Sequence, residues 1–196
     1  MESSPNRCVR TPFSTEPALK KPRKDDRFMQ HKVIKKQENA RQCFACGVDN
    51  PMSLKAFFYE MDNGELVAVF HSMEEHQSYP GRLHGGVSAA ILDETIGRAM
   101  MIEEPEMWGV TVELELKYKK PVPLNMPLKA VGRITKNSRR IFEGTGEILL
   151  PDGSVAVTAQ GKYLKMPIDK ITTLEFIESE EMHLEISPDD PAYIDY

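Results

Sequence analysis

The sequence predicts an α+β domain in which one curved antiparallel sheet of about six strands wraps a single long central helix. Three observations carry this. Six β-rich runs occur in the order strand, strand, helix, then four strands. The one helical segment, residues 85 to about 103, is apolar on more than one side, as a helix enclosed by a sheet has to be. Two strong turn signals, Asp62-Asn63-Gly64 and Pro151-Asp152-Gly153, break what would otherwise be long strands into hairpins. There is no internal repeat.

Taken in order, Leu54 to Glu60 and Glu65 to Ser72 form the first hairpin, whose Asn63-Gly64 pair supplies the positive backbone angles of a tight turn. The helix follows, carrying Ala89, Ala90, Ile91, Leu92, Ile96, Ala99 and Met100. The third strand, Gly109 to Tyr118, alternates Val110, Val112, Leu114, Leu116 and Tyr118 with Thr111, Glu113, Glu115 and Lys117. That alternation predicts one apolar face, with Thr111 on the other. Leu128 to Lys136, Arg140 to Leu150 and Ser154 to Lys165 complete the sheet.

The chain of 196 residues is 40% apolar, enough for one globular domain. No run of about 18 apolar residues is present to span a bilayer, and Met1-Glu2-Ser3-Ser4-Pro5 lacks an apolar signal region, so a cytoplasmic protein is expected. Three cysteines, two of them spaced as Cys43-x-x-Cys46, argue for thiols rather than a secreted disulfide framework. No second Cys-x-x-Cys or His pair follows at finger spacing, so no metal is expected, and His31, His71 and His76 are scattered.

The net charge of −5 hides opposed ends. Residues 1–42 carry eleven basic and five acidic side chains, and residues 165–196 carry two basic and nine acidic ones. We therefore divide the chain into a basic, proline-containing extension (1–42), the domain (43–166) and an acidic tail (167–196). A basic arm suits nucleic acid, an anionic membrane or the acidic tail of the same protein. Interrupting prolines and acids and the lack of aromatic spacing argue against nucleic acid. From Asp25 to Arg41 the arm has the spacing of a helix, with Phe28, Met29, Val33 and Ile34 on one side.

The most informative stretch is His84-Gly85-Gly86-Val87-Ser88-Ala89-Ala90-Ile91-Leu92-Asp93-Glu94. Two glycines open a helix, whose first N–H groups have no partner inside it and can polarise a carbonyl. Nine residues after the histidine, Asp93 puts a carboxylate into an otherwise small and apolar run. Together with Cys46-Gly47-Val48-Asp49-Asn50-Pro51, Tyr79-Pro80-Gly81-Arg82-Leu83, Val110-Thr111-Val112 and Tyr118-Lys119-Lys120-Pro121-Val122-Pro123, this segment resembles the hotdog-fold acyl-CoA thioesterases of the phenylacetic-acid-degradation (PaaI-like) type. Their mark is a His-Gly-Gly turn followed by Leu-Asp on the central helix. The resemblance covers about Cys43 to Met166.

The resemblance implies a hydrolase of acyl-CoA thioesters that uses water and no cofactor. It implies a homodimer, often a homotetramer, with each active site formed across the dimer interface, the turn from one subunit and the acid from the other. It makes Asp93 a general base or nucleophile and Thr111 the hydroxyl that places the water. His84 takes an orienting role in the turn. Adjacent helix positions point about 100° apart, so only one of Asp93 and Glu94 can face the site well, and the pattern favours Asp93. The Gly85 or Gly86 N–H, at the positive end of the helix, suits an oxygen gaining negative charge. A thiolate leaves with a pKa near 8.5, so no dedicated general acid is required.

The sequence departs from the pattern at one point. Six residues before the histidine, many members carry Asn or Gln; here Ser78 stands there with Gln77 beside it. For the CoA phosphates, the candidate cations are Arg139 and Arg140, with Lys119 and Lys120. Met100, Met101, Met107 and Trp108 are candidates to line the end of an acyl site. The alternative reading is a non-catalytic acyl-CoA-binding protein acting as regulator or carrier, which the presence of Asp93 disfavours. A hydratase would need its Asp and His in one loop, whereas here the histidine precedes the acid; an interaction protein with a dimerising core would lose its partner, and not hydrolysis, on tail deletion.

Overall fold

The computed structural model describes residues 29–173 and 186–196, together with 175, 178, 179, 182 and 184. Among the described residues the fold is built from eight strands around a central helix: β1 (Gln30–Lys36), β2 (Phe57–Met61), β3 (Leu66–His71), α1 (Gly85–Ala99), β4 (Met107–Tyr118), β5 (Pro127–Asn137), β6 (Ile141–Leu149), β7 (Val155–Pro167) and β8 (Tyr193–Asp195). They form one antiparallel sheet in the order β4-β7-β6-β5-β3-β2-β1-β8. The six strands read from the sequence are β2 to β7. In the β2–β3 turn only Gly64 takes a positive φ, +81°, and Gly153 does so at +73° in the β6–β7 turn.

Helix α1 lies against the sheet, and glycines set how closely. A Cβ at Gly132 would come within 2.7 Å of the Thr95 carbonyl oxygen, and one at Gly144 within 2.5 Å of Ile96. Ile91, Leu92, Ile96 and Met100 are buried there with Phe58, Phe70, Phe142 and Tyr163. Residues of the opposite parity, Val67 on β3 and Val131 on β5, join Tyr59, Met61, Leu149 and Ile194 in a second cluster. The middle strands are thus buried on both faces, which accounts for the unbroken apolar run Leu66 to Phe70.

The expected arm helix differs from what forms. Its Asp25 to Phe28 portion lies outside the described residues, and Gln30–Lys36 is strand β1. Val33 pairs with Met61 of β2, and His31 pairs with Ile194 of β8. Main-chain partners on both sides outweigh a short, weakly apolar helical face. Charge follows the same route: Lys36 Nζ donates to Asp190 Oδ1 at 2.7 Å, and Tyr59 Oη donates to the same oxygen at 3.0 Å. Of the three partners considered for the basic arm, its described part meets the acidic tail.

Candidate active site

His84 is the N-cap of α1, and its Nδ1 accepts the Gly86 N–H at 2.9 Å. An accepting Nδ1 puts the proton of the neutral ring on Nε2. The Gly86 donor is therefore taken by the cap, and Gly85 N–H is the member of the pair that the ring leaves to other acceptors. Tyr118 Oη donates to the Gly85 carbonyl at 2.8 Å and packs over Gly85, where an added Cβ would meet the phenol ring at 3.4 Å. Behind the turn, His84 N–H donates to the His76 carbonyl at 2.9 Å. Both ring nitrogens of buried His76 are engaged, Nδ1 by Met73 N–H and Nε2 with the Met52 carbonyl, so it is a satisfied structural group.

Gln77 Oε1 accepts the Gly81 N–H at 2.7 Å, tying the loop before the helix. Ser78 lines a cavity of about 380 Å³ with Arg82, Gly85, Tyr118, Lys119 and Lys120. The glycine turn and two of the candidate cations thus share one opening, and Arg82, which the sequence reading passed over, joins them. Arg139 and Arg140 stand on the β5–β6 turn and line neither this cavity nor the one at Asp93.

Two turns further along α1, Asp93 is half-buried beside Thr111, Tyr163, Gly97, Met101 and Trp108, around a cavity of about 70 Å³. Thr111 Oγ1 donates to both carboxylate oxygens, at 2.9 and 3.1 Å, and Tyr163 Oη donates to Oδ1 at 3.1 Å. Burial pushes the Asp93 carboxyl above its ordinary value, the two hydroxyls partly oppose it, and the charge of Glu94 adds to it. Tyr163 is held protonated by burial and by the carboxylate it faces. Glu94 and Arg98 also border this cavity, and Glu94 accepts from Arg98 Nε at 2.6 Å.

The strand alternation placed Thr111 on the polar face, and a β-bulge changes that. In the β4–β7 ladder Thr111 pairs with Tyr163 and Glu113 with the next residue, Lys162, leaving Val112 as the extra residue. The face exchange is visible on either side. Gly109, two before Thr111, abuts Phe142 and Tyr163 of the core, whereas beyond the bulge Leu114 and Leu116 pack on it. Val112 is left 60% exposed. Among the acyl-site candidates, Met101 and Trp108 border the Asp93 cavity, while Met100 is buried in the main core.

Residues 80–157, which contain the glycine turn, Asp93 and Thr111, match the model of the thioesterase superfamily. Mouse acyl-coenzyme A thioesterase THEM4 is 25% identical over 150 residues, 76% of this chain and 63% of its own. Human acyl-coenzyme A thioesterase 13 is 26% identical over 102 residues, 52% of this chain and 72% of its own. The chain thus spans less than two thirds of the mouse relative. Among solved structures, the thioesterase superfamily protein RHA08564 superposes with a TM-score of 0.59 at 28% identity, over 63% of this chain and 60% of that one. The Haemophilus influenzae thioesterase HI1161, at 17% identity and a TM-score of 0.56 over 63% and 86%, shares the fold. A helix opened by the His-Gly-Gly turn and wrapped by this antiparallel sheet gives the chain a hotdog fold, and its residues 80–157 are similar to the thioesterase superfamily.

Proposed function

We propose that the protein hydrolyses acyl-CoA thioesters to a free carboxylic acid and CoA, with Asp93 as general base. The observation that carries this is the Asp93 carboxylate, half-buried and oriented by the Thr111 and Tyr163 hydroxyls beside a space of water size. A raised pKa makes the carboxylate a stronger base. Water bound there loses a proton to Asp93 as its oxygen attacks the thioester carbonyl. The developing oxyanion is met by the Gly85 N–H, and CoA leaves as a thiolate.

One chain does not bring these parts together. Gly85 and Asp93 are eight residues apart on one helix, about 12 Å along its axis. That is too far for both to touch one carbonyl group, so the reading requires a second copy to supply the other half. Among the described residues, the twelve-residue strand β4 ends the sheet with an unpaired edge that exposes Val112, and such an edge favours pairing with another copy. In this arrangement Arg82, Lys119 and Lys120 meet the CoA phosphates beside the glycine turn. Related acyl-coenzyme A thioesterase sequences, among them those from mouse, rat, cow and human, support the substrate class.

Steady-state release of free thiol from short, medium, long and aromatic acyl-CoAs tests the proposal. Turnover of at least one of them is expected. Saturable binding of acyl-CoA without thiol release would instead establish the non-catalytic carrier.

A further inference from the structure

We propose that Cys43 and Cys46 are a redox-active dithiol, a site at which a small-molecule disulfide such as oxidised glutathione is reduced while the two sulfurs close into an intrachain disulfide. The site adjoins the Asp93 cavity, which Glu94 and Arg98 also border, but its chemistry does not use Asp93 or the thioester. The two cysteines sit three residues apart in one helical turn, closed by a hydrogen bond from Gly47 N–H to the Cys43 carbonyl at 2.8 Å. A Cβ at position 47 would collide with that carbonyl, so the turn requires glycine. The turn is also held from outside. Leu54 N–H donates to the Phe44 carbonyl at 3.1 Å, Ala56 N–H to the Ala45 carbonyl at 3.0 Å, and Asn39 Nδ2 to the Cys46 carbonyl at 2.9 Å. Neither cysteine is in a disulfide, Ala45 N–H donates to Cys43 Sγ at 3.3 Å, and the donor atoms of Cys43, Cys46 and Glu94 all lie within 4.8 Å of one another.

What faces the sulfurs is a buried guanidinium. Arg98, 5% exposed and stacked over Phe58 at 4.7 Å, donates from Nη2 to Cys46 Sγ at 3.4 Å and from Nε to Glu94. Such a group stabilises a thiolate. The hydrogen bond from Cys43 and the Arg98 charge bring the Cys46 thiol down to about 7, against burial and Glu94, and Cys43 is held protonated in return. Three sulfur and carboxylate donors this close also suit a divalent cation, but Arg98 already supplies the positive charge on two of them. A second cation would be placed against it.

Cys46 is fully buried and Cys43 partly exposed, so Cys43 is the sulfur an external disulfide can reach. The Cys43 sulfur attacks one sulfur of the oxidant while its proton passes to the Cys46 thiolate, giving a mixed disulfide and a departing thiolate that takes its proton from solvent. Cys46 then gives up its proton, attacks the Cys43 sulfur and expels the second thiol. Two protein thiols lose two electrons and two protons, and one external disulfide becomes two thiols.

The test uses the full chain with Cys8→Ser, so that only this pair remains, equilibrated in graded mixtures of reduced and oxidised glutathione, then alkylated and weighed intact. The expected result is a single transition from two alkylated thiols to none, with loss of two hydrogens and no added glutathione, reversed by dithiothreitol. In Cys46→Ser the same mixtures should leave glutathione attached at Cys43. In Arg98→Gln the thiolate absorbance of Cys46 should appear at higher pH than in the parent, a shift that a merely structural arginine would not produce. Two thiols still alkylated in excess oxidised glutathione would overturn the proposal, as would a stable glutathione adduct on the parent. Stoichiometric zinc in the purified protein, released only when both thiols are blocked, would make the pair a metal site instead.

Discussion

Thr111→Val is the sharpest probe of how Asp93 is held. Valine keeps the branched shape on β4 and deletes only the hydroxyl that donates to both Asp93 oxygens, at 2.9 and 3.1 Å. A hydrogen bond to a charged group contributes about 1.5–3 kcal/mol. Thr111 is exposed and Asp93 half-buried in the single chain, so solvent screening argues for the lower end, about 1.5 kcal/mol, which is about tenfold in kcat/KM. Tyr163 still holds Oδ1 in the variant, which keeps the loss partial. The pH dependence has a definite sign. The Thr111 bond favours the charged carboxylate and opposes the upward push of burial, so removing it raises the Asp93 pKa further. In the proposed role Asp93 acts as the carboxylate, and the acidic limb of kcat/KM against pH should therefore move to higher pH. Thiol release followed across pH for wild type, Thr111→Val and Thr111→Ser measures both effects, with serine restoring most of the rate. Wild-type kinetics in the valine variant, or a limb that moves to lower pH, would refute the role given to this hydroxyl.

Asp93→Asn should stabilise the fold at neutral pH. The folded-state pKa is raised, so the contribution of this carboxyl to stability is present below its unfolded value and lost as pH rises through the folded one. Melting temperature should exceed wild type at pH 7 and converge with it below about pH 4, the ordinary carboxylate range; equal values at both would count against burial as the cause. Val112→Lys places a charge at a 60%-exposed position on the unpaired sheet edge, and sedimentation should then find monomer together with loss of hydrolysis. An unchanged oligomer with full activity would remove β4 from the interface. Gly132→Ala brings a Cβ to 2.7 Å from the Thr95 carbonyl oxygen, which is helix backbone and cannot rotate away. A loss of about 1–3 kcal/mol in chemical denaturation is expected, and a neutral effect would mean α1 rests less tightly on β5.

Much of the architecture was legible because it rests on local pattern. The strands β2 to β7 carry β-rich runs with turn residues between them, and α1 announces itself through its small apolar run and its opening glycines. The two outer strands were not legible, because β8 has three residues and β1 reads as part of a basic arm. Their pairing depends on each other and on contacts such as Lys36 with Asp190, 154 residues apart, which no local window contains. At the candidate site, Asp93 stood out as a carboxylate in an apolar helix. Tyr163, which holds it, lies 70 residues away on β7, and Tyr118, which braces Gly85, lies 33 residues away on β4. Thr111 was named from the motif but assigned to the wrong face, since strict alternation contains no signal for the extra residue at Val112. Arg98 could have been found: it is a cation in an apolar helix, four residues after Glu94, at the spacing of a paired charge.

Whether the Asp93 carboxylate drives thioester hydrolysis, as proposed, is decided by a single comparison. For the acyl-CoA that wild type turns over best, kcat/KM is measured by thiol release beside Asp93→Asn, with acyl-CoA binding to both followed by calorimetry. A fall of about 10² or more is expected in the variant, with binding retained. An Asp93→Asn protein that hydrolyses the same thioester within about threefold of wild type would contradict the proposal.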